Sequence, residues 1–163
     1  MAPVLTLICA YSFVCLKFGK DNFPYLLKNM DSDIIVMDDT LTPETAAELS
    51  ERVQESMMSH NYSKKTAGRA ALFVEETGMT ILEKNSQMKK PILFELSLFF
   101  EEDSALIIER DAGELFDLTD PDIEVRGLSG FILSGLMEAH QEKAYLVTTG
   151  YNRNMIRFSK TEK

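Results

Sequence analysis

Hydrophobic residues change their spacing several times along this chain, and those changes sharply restrict its fold. Between residues 43 and 85 apolar side chains recur every three or four positions, which is typical of amphipathic helices. Residues 92–110 are β-rich instead, and after one more helical run two further β-rich runs complete the pattern. This order predicts helices and strands that pack as layers around one core.

Local signals at the helix ends sharpen the prediction. Thr42 is an N-cap residue followed by proline at the first helical position, so a helix is predicted from Pro43 to about Met58. Ser63 caps a second helix that runs to about Asn85. Gly78 lies inside that helix, which indicates either the close approach of another element or a break.

The remaining elements complete an α+β architecture. Strands are predicted at 34–39, 92–100, 105–110, 144–149 and 154–159, a third helix at 128–140, and a long loop at 111–127. We expect a two-layer sandwich, with a mixed, mostly antiparallel sheet covered on one face by three helices.

The start of the chain differs in composition from the rest. Residues 2–16 carry no charge, and Lys17 and Lys20 follow directly. The run is shorter than the about 20 residues that cross a bilayer. One interpretation is the end of a transmembrane helix of a longer protein, with the lysines at its cytoplasmic end. The other is a strand or helix that packs on the domain.

These observations divide the chain into three parts. Residues 1–20 form the apolar segment, 21–32 a linker, and 33–163 the folded domain. The membrane interpretation predicts a cytoplasmic domain at the inner face of the plasma membrane, tethered through residues 2–16. The net charge of −9 argues against nucleic acid as a partner, because phosphate backbones would be repelled.

Three short motifs contain the candidate functional residues. Asp111-Ala112-Gly113 follows directly on a predicted strand. A glycine-containing segment opens the third helix, where backbone N–H groups favour phosphate; it consists of Gly127, Leu128, Ser129 and Gly130. Glu76 and Thr80 lie four residues apart on the second helix, and therefore share a face.

With these motifs in this order, residues 33–160 resemble the histidine-kinase-like ATPase superfamily, also called the GHKL or Bergerat fold. The resemblance is closest to the anti-sigma-factor serine kinase branch. It implies that Asp111 accepts a hydrogen bond from the amino group of adenine and that Gly113 permits close backbone approach. It also implies phosphates near Gly127–Gly130.

The resemblance further implies ATP and Mg²⁺ as cofactors. Glu76 matches the catalytic glutamate that positions water or acts as a base, and Thr80 replaces the asparagine that holds the metal. Leu115 replaces a second glycine, and Asn154 lies near a last-strand position that is often threonine.

Two functions follow from these matches and departures. The first is an ATP-binding regulatory domain, a serine-kinase-like module of a bacterial membrane-associated protein that acts as a protein serine/threonine kinase or ATPase with incomplete catalytic motifs. The alternative is a degenerate, nucleotide-free interaction module with the same fold, in which the loop 111–127 binds a protein partner. No Walker-type loop or Ser-His-Asp set supports another enzyme class.

Overall fold

The structure is a computed structural model that describes residues 34–88, 90–115, 117, 127–139, 143–148 and 151–160. The predicted apolar segment (1–20), with its membrane tether at 2–16, and the linker (21–32) lie outside these residues, as does most of the loop 111–127. Within them, no helix combines the length and the apolar character that a membrane crossing requires.

Eight elements follow the predicted order. They are β1 (Ile34–Thr40), α1 (Pro43–Ser59), α2 (Lys64–Lys84), β2 (Leu93–Phe100), β3 (Ser104–Asp111), α3 (Gly127–Ala139), β4 (Lys143–Thr148) and β5 (Tyr151–Ser159). The last strand begins three residues earlier than the sequence predicted. Its additional residues include Asn152, which belongs to the site described below.

The five strands form one sheet in the order β1-β2-β3-β5-β4, and every neighbouring pair among them is antiparallel. β3 lies in the middle of the sheet, because it pairs with β2 on one side and with β5 on the other. The predicted α+β class is confirmed, with a sheet that is antiparallel throughout the part of the chain described.

Side-chain caps begin both long helices as predicted. The Thr42 hydroxyl accepts a hydrogen bond from the backbone N–H of Thr45, and the Thr45 hydroxyl accepts one from the N–H of Thr42. At α2, the Ser63 hydroxyl accepts a hydrogen bond from the backbone N–H of Thr66. These contacts satisfy N–H groups that have no partner inside a helix.

Gly78 lies on the side of α2 that packs tightly against Ala46 of α1. A Cβ atom at this position would lie 3.0 Å from the Cβ of Ala46 and 3.3 Å from the Cδ1 of Leu41. The helix continues without a break through the glycine. Of the two predicted roles for Gly78, the close approach of another element is therefore the correct one.

The core lies between the helices and one face of the sheet. Alternate residues of β2, β3 and β5 face the helices, because side chains alternate across a strand. Large buried members of this layer are Phe94, Leu96, Leu98, Ile107, Ile156 and Phe158. The helices contribute the stripe predicted for α1, the alanine-rich side of α2 and Leu133 of α3. All three helices thus cover the same face.

Candidate functional site

Near the end of β3 the inner face of the sheet turns from apolar to polar. Ala105 and Ile107 belong to the hydrophobic core, but the next two inward positions on the same strand are Glu109 and Asp111. Across the β3–β5 pair they are opposed by Asn154 and Asn152 respectively. All four polar residues are buried, which places a group of carboxyl and amide side chains inside the protein.

Asp111 ends β3 and is 0% exposed. Its Oδ1 accepts hydrogen bonds from the Gly113 backbone N–H at 2.8 Å and from Asn152 Nδ2 at 2.9 Å. Its Oδ2 is buried without a hydrogen-bond partner in the part of the chain described. Burial raises the pKa of this carboxyl group, and the hydrogen bonds from Asn152 and Gly113 oppose the rise.

Asn152 holds Asp111 in place. Its Nδ2 donates to Asp111 Oδ1 and, at 2.7 Å, to the backbone carbonyl of Glu114. Its Oδ1 accepts a 2.7 Å hydrogen bond from the hydroxyl of Tyr145 on β4. One amide thereby joins two strands and the loop after β3, and the orientation of the Asp111 carboxylate is fixed by neighbours on both sides.

Asn154 was the last-strand residue that the sequence motifs had singled out. In the register of β3 and β5, Asn154 lies opposite Glu109, and the residue opposite Asp111 is Asn152. Asn152 was missed because the strand was expected to begin after it. A strand starting at Tyr151 places both asparagines inward by simple alternation.

Gly113 is the point where the loop after β3 touches the end of α2. A Cβ atom there would lie 2.7 Å from Asn85 Nδ2 and 2.9 Å from Asp111 Oδ1. Both distances are shorter than real Cβ contacts, so a side chain here would require the Asn85 amide and the Asp111 carboxylate to move. The predicted close approach of a ligand at Gly113 stays a prediction, because the neighbours identified are protein atoms.

Asn85 anchors the same loop from the end of α2. Its Nδ2 donates to the carbonyl of Ile81 at 2.8 Å, and its Oδ1 accepts from the backbone N–H of Glu114 at 2.8 Å. Both ends of the amide are therefore engaged by backbone groups. Asn85 therefore connects the end of α2 with the loop after β3.

Glu76 and Thr80 share a face of α2, as their spacing predicted. Glu76 is partly exposed, and its backbone carbonyl accepts a 2.7 Å hydrogen bond from the Thr80 hydroxyl. Thr80 is only 2% exposed. In this arrangement Thr80 does not fit the part of a magnesium ligand, because its hydroxyl group is buried and bound to its own helix.

The described residues contain no cluster of three or more His, Cys, Asp or Glu side chains that could hold a metal ion. The remaining sequence-predicted residues lie at the start of α3, which begins at Gly127 as expected. Gly130 is buried and Ser129 is partly buried. The side chain of Leu128 lies outside the described set.

Glu109 is the most unusual residue of the site, although it belongs to none of the three sequence motifs. It is 0% exposed, and neither carboxyl oxygen has a hydrogen-bond partner among the described residues. Burial raises the pKa of this carboxyl group well above its usual range, and the nearby charge of Asp111 adds to the rise. The sequence did contain a signal for Glu109, because it precedes Asp111 by two residues. Side chains alternate along a strand, so both acids are expected on the same face of the sheet.

Comparisons with known proteins give a limited picture. No protein-family model matches the chain, and no curated protein matches it. Among solved structures, the histidine kinase domain of the blue-light-activated histidine kinase of Erythrobacter litoralis EL346 is similar to it. The two share 14% sequence identity, the match covers 74% of this chain and 67% of that domain, and the TM-score is 0.48.

A likeness of this size carries nothing about family, ligand or activity. The anti-sigma-factor branch, ATP, Mg²⁺ and a membrane location stay predictions.

Proposed function

We propose that this chain is a nucleotide-binding regulatory domain and that Asp111 receives the amino group of an adenine base. The supporting observation is the Asp111 carboxylate, in which Oδ1 is fixed by two donors while Oδ2 is buried and unpartnered among the described residues. A buried acceptor without a partner costs about 1–3 kcal/mol. A ligand N–H group that reached Oδ2 would remove that cost.

Preorganisation strengthens the case for Asp111. The carboxylate is held by Asn152, which is itself held by Tyr145 and the loop, so little motion is left to freeze when a ligand binds. A rigid polar group in an apolar layer is the arrangement through which proteins discriminate between bases, since a mismatched partner leaves buried groups unpaired. A guanine carbonyl oxygen placed against the ionised carboxylate would be repelled.

In this proposal the phosphates lie near the start of α3, where the backbone N–H groups of Gly127–Gly130 attract anions. Glu76 is the candidate for positioning water or for acting as a base, because it is partly exposed and lies on the helix facing the site. ATP would bring Mg²⁺ bound to its phosphates.

Calorimetric titration with ADP tests the base site. The wild-type domain should bind, and Asp111→Ala should reduce affinity by at least 100-fold. Asp103→Asn is the matched control, because Asp103 is exposed in the turn before the same strand. Equal affinity of Asp111→Ala and wild type would overturn the assignment of the site.

A second function has its own observation. Leu115, in the loop after β3, is 71% exposed, and Phe131, on α3, is 77% exposed. Large apolar side chains in solvent often mark protein contacts. These two exposed side chains favour a protein partner. A regulatory nucleotide-binding domain also needs such a partner, and in the nucleotide-free alternative protein binding is the whole function. A melting temperature unchanged by millimolar ADP would favour that alternative, because a ligand that binds the native state stabilises it.

A further inference from the structure

Glu109 and Asn154 form a buried polar pair that the residues discussed so far leave unexplained. They are direct partners in the β3–β5 register, they are 0% and 1% exposed, and they face the helices. Both carboxyl oxygens of Glu109 and both polar atoms of the Asn154 side chain are buried without hydrogen-bond partners among the described residues. Four orphan atoms in neighbouring side chains are unusual, because nearly all buried polar atoms are paired.

These atoms lie on the same face of the sheet as the orphan oxygen of Asp111. Glu109 precedes Asp111 by two residues on a strand with continuous pairing, so their side chains leave the same face about 7 Å apart at the backbone. The two carboxyl groups influence each other, because the charge of Asp111 contributes to the raised pKa of Glu109. The polar region thus contains five unpartnered atoms in three residues, on one face of the sheet.

The protein neighbours do not satisfy Glu109. The Thr77 hydroxyl on α2 is close to it and opposes the rise of its pKa, but donates its hydrogen to the Phe73 carbonyl at 2.7 Å. Leu96 is its partner on β2, which offers no polar atom. Arg110 and Arg153 occupy the alternate positions of β3 and β5 and therefore belong to the other face.

None of the described strand neighbours of Glu109 places a cation on this face, and burial raises the pKa of its carboxyl group well above the usual range, which favours the protonated form. A protonated carboxyl group has one O–H donor, whereas a carboxylate oxygen, the role proposed for Asp111, is an acceptor. The two neighbouring acids therefore offer an acceptor beside a donor. The amide of Asn154 adds a second donor on the Glu109 side.

We propose that Glu109 is a specificity-determining residue of the base pocket, and that its carboxyl group donates a hydrogen bond, directly or through one water, to the ring nitrogen adjacent to the amino group bound by Asp111. This inference rests on the proposed nucleotide function. Adenine carries an amino donor next to a ring-nitrogen acceptor, which is complementary to Asp111 and Glu109. Asn154 supports the same contact from β5.

Comparing the affinities of three nucleotides tests the proposed contact of Glu109 with the ring nitrogen. In 1-deaza-ADP the ring nitrogen next to the amino group is replaced by C–H, and in 7-deaza-ADP a nitrogen on the other edge is replaced. Calorimetry on the wild-type domain should show 1-deaza-ADP binding at least 10-fold more weakly than ADP, with 7-deaza-ADP within about threefold of ADP. Equal binding of ADP and 1-deaza-ADP would overturn the inference and leave the proposed function standing.

Two variants assign the effect to Glu109. Glu109→Gln keeps a donor of similar shape, and should retain the preference for ADP over 1-deaza-ADP. Glu109→Leu removes the donor, should weaken ADP binding at least 10-fold, and should bind both nucleotides equally. Glu95→Gln is the control, since Glu95 projects from the other face of the sheet toward Arg110.

The outcomes distinguish the two levels of the proposal. If wild type binds none of the nucleotides, both the proposed function and the inference fail. If Glu109→Leu keeps the wild-type preference for ADP, buried water alone satisfies the polar pair and only the inference fails. The comparison of nucleotides on wild type decides the matter even if Glu109→Leu does not fold.

Discussion

Asn152 Nδ2 donates a 2.9 Å hydrogen bond to Asp111 Oδ1 across the pairing of β5 with β3. The same nitrogen binds the Glu114 carbonyl, and the amide oxygen accepts from the Tyr145 hydroxyl. The orientation of the candidate base-binding carboxylate is therefore determined by an amide from a strand 41 residues away in sequence.

Asn152→Leu removes this support. Because Asp111 Oδ1 and the Glu114 carbonyl then each lose a donor inside the protein, we expect the free energy of unfolding to fall by about 1–3 kcal/mol. Urea unfolding followed by circular dichroism measures the change. Tyr145→Phe is the control, since it deletes only the hydrogen bond to the far side of the amide, and should cost less. Equal stability of Asn152→Leu and wild type would show that the amide is not structural.

Gly78→Ala tests the contact between α1 and α2. Its new methyl group would lie 3.0 Å from the Cβ of Ala46, which is attached to the backbone and cannot rotate away. We expect a loss of about 1–2 kcal/mol, despite the better helix propensity of alanine. Gly68→Ala is the matched control on the same helix, because nothing lies within 4 Å of its Cβ position. That control should gain up to about 1 kcal/mol, and thermal denaturation of the two variants should shift in opposite directions.

Glu109→Gln tests the protonation of the buried acid without any ligand. In wild type the folded state keeps a proton that the unfolded glutamate releases above its ordinary pKa of 4.5. Stability that Glu109 contributes is therefore complete below that pH and is lost as pH rises toward the folded-state pKa. The loss has a limiting slope of about 1.4 kcal/mol per pH unit.

The glutamine variant does not titrate at this position, so its stability should fall less steeply between pH 5 and pH 7. Some slope should remain, because burial also raises the pKa of Asp111. Urea midpoints measured at half-unit pH intervals give both curves. Parallel curves for wild type and Glu109→Gln would contradict a protonated Glu109.

Thr80→Val tests the magnesium role inferred from the sequence motif. The Thr80 hydroxyl is bound to the carbonyl of Glu76 and is buried, so we expect the affinity for ADP to change less than twofold, with or without Mg²⁺. Calorimetric titrations in magnesium and in EDTA measure this. A loss of affinity confined to the magnesium titration would instead assign Thr80 to the metal.

The sequence determined the elements of this protein because their signals are local. The caps at Thr42 and Ser63 and the buried stripe of α1 are contained within a few residues of each other, and the structure shows them as predicted. The same is true of the order of helices and strands, from which the α+β class followed. Periods of 3.6 and 2 residues and cap chemistry do not depend on distant parts of the chain.

Tertiary structure decided which polar side chains meet. The loop after β3 is held by residues from the end of a helix and from two strands, namely Asn85, Asp111 and Asn152. No local pattern in the sequence predicts that these three side chains meet. The choice of Asn152 over Asn154 depends on the register of β3 and β5, in which a shift of one residue reverses every side chain. Burial of Glu109 likewise depends on which part of the sheet the helices cover. Pairing and burial are properties of the assembled layers, which is why the sequence identified the carboxylate and only the fold identified its partners.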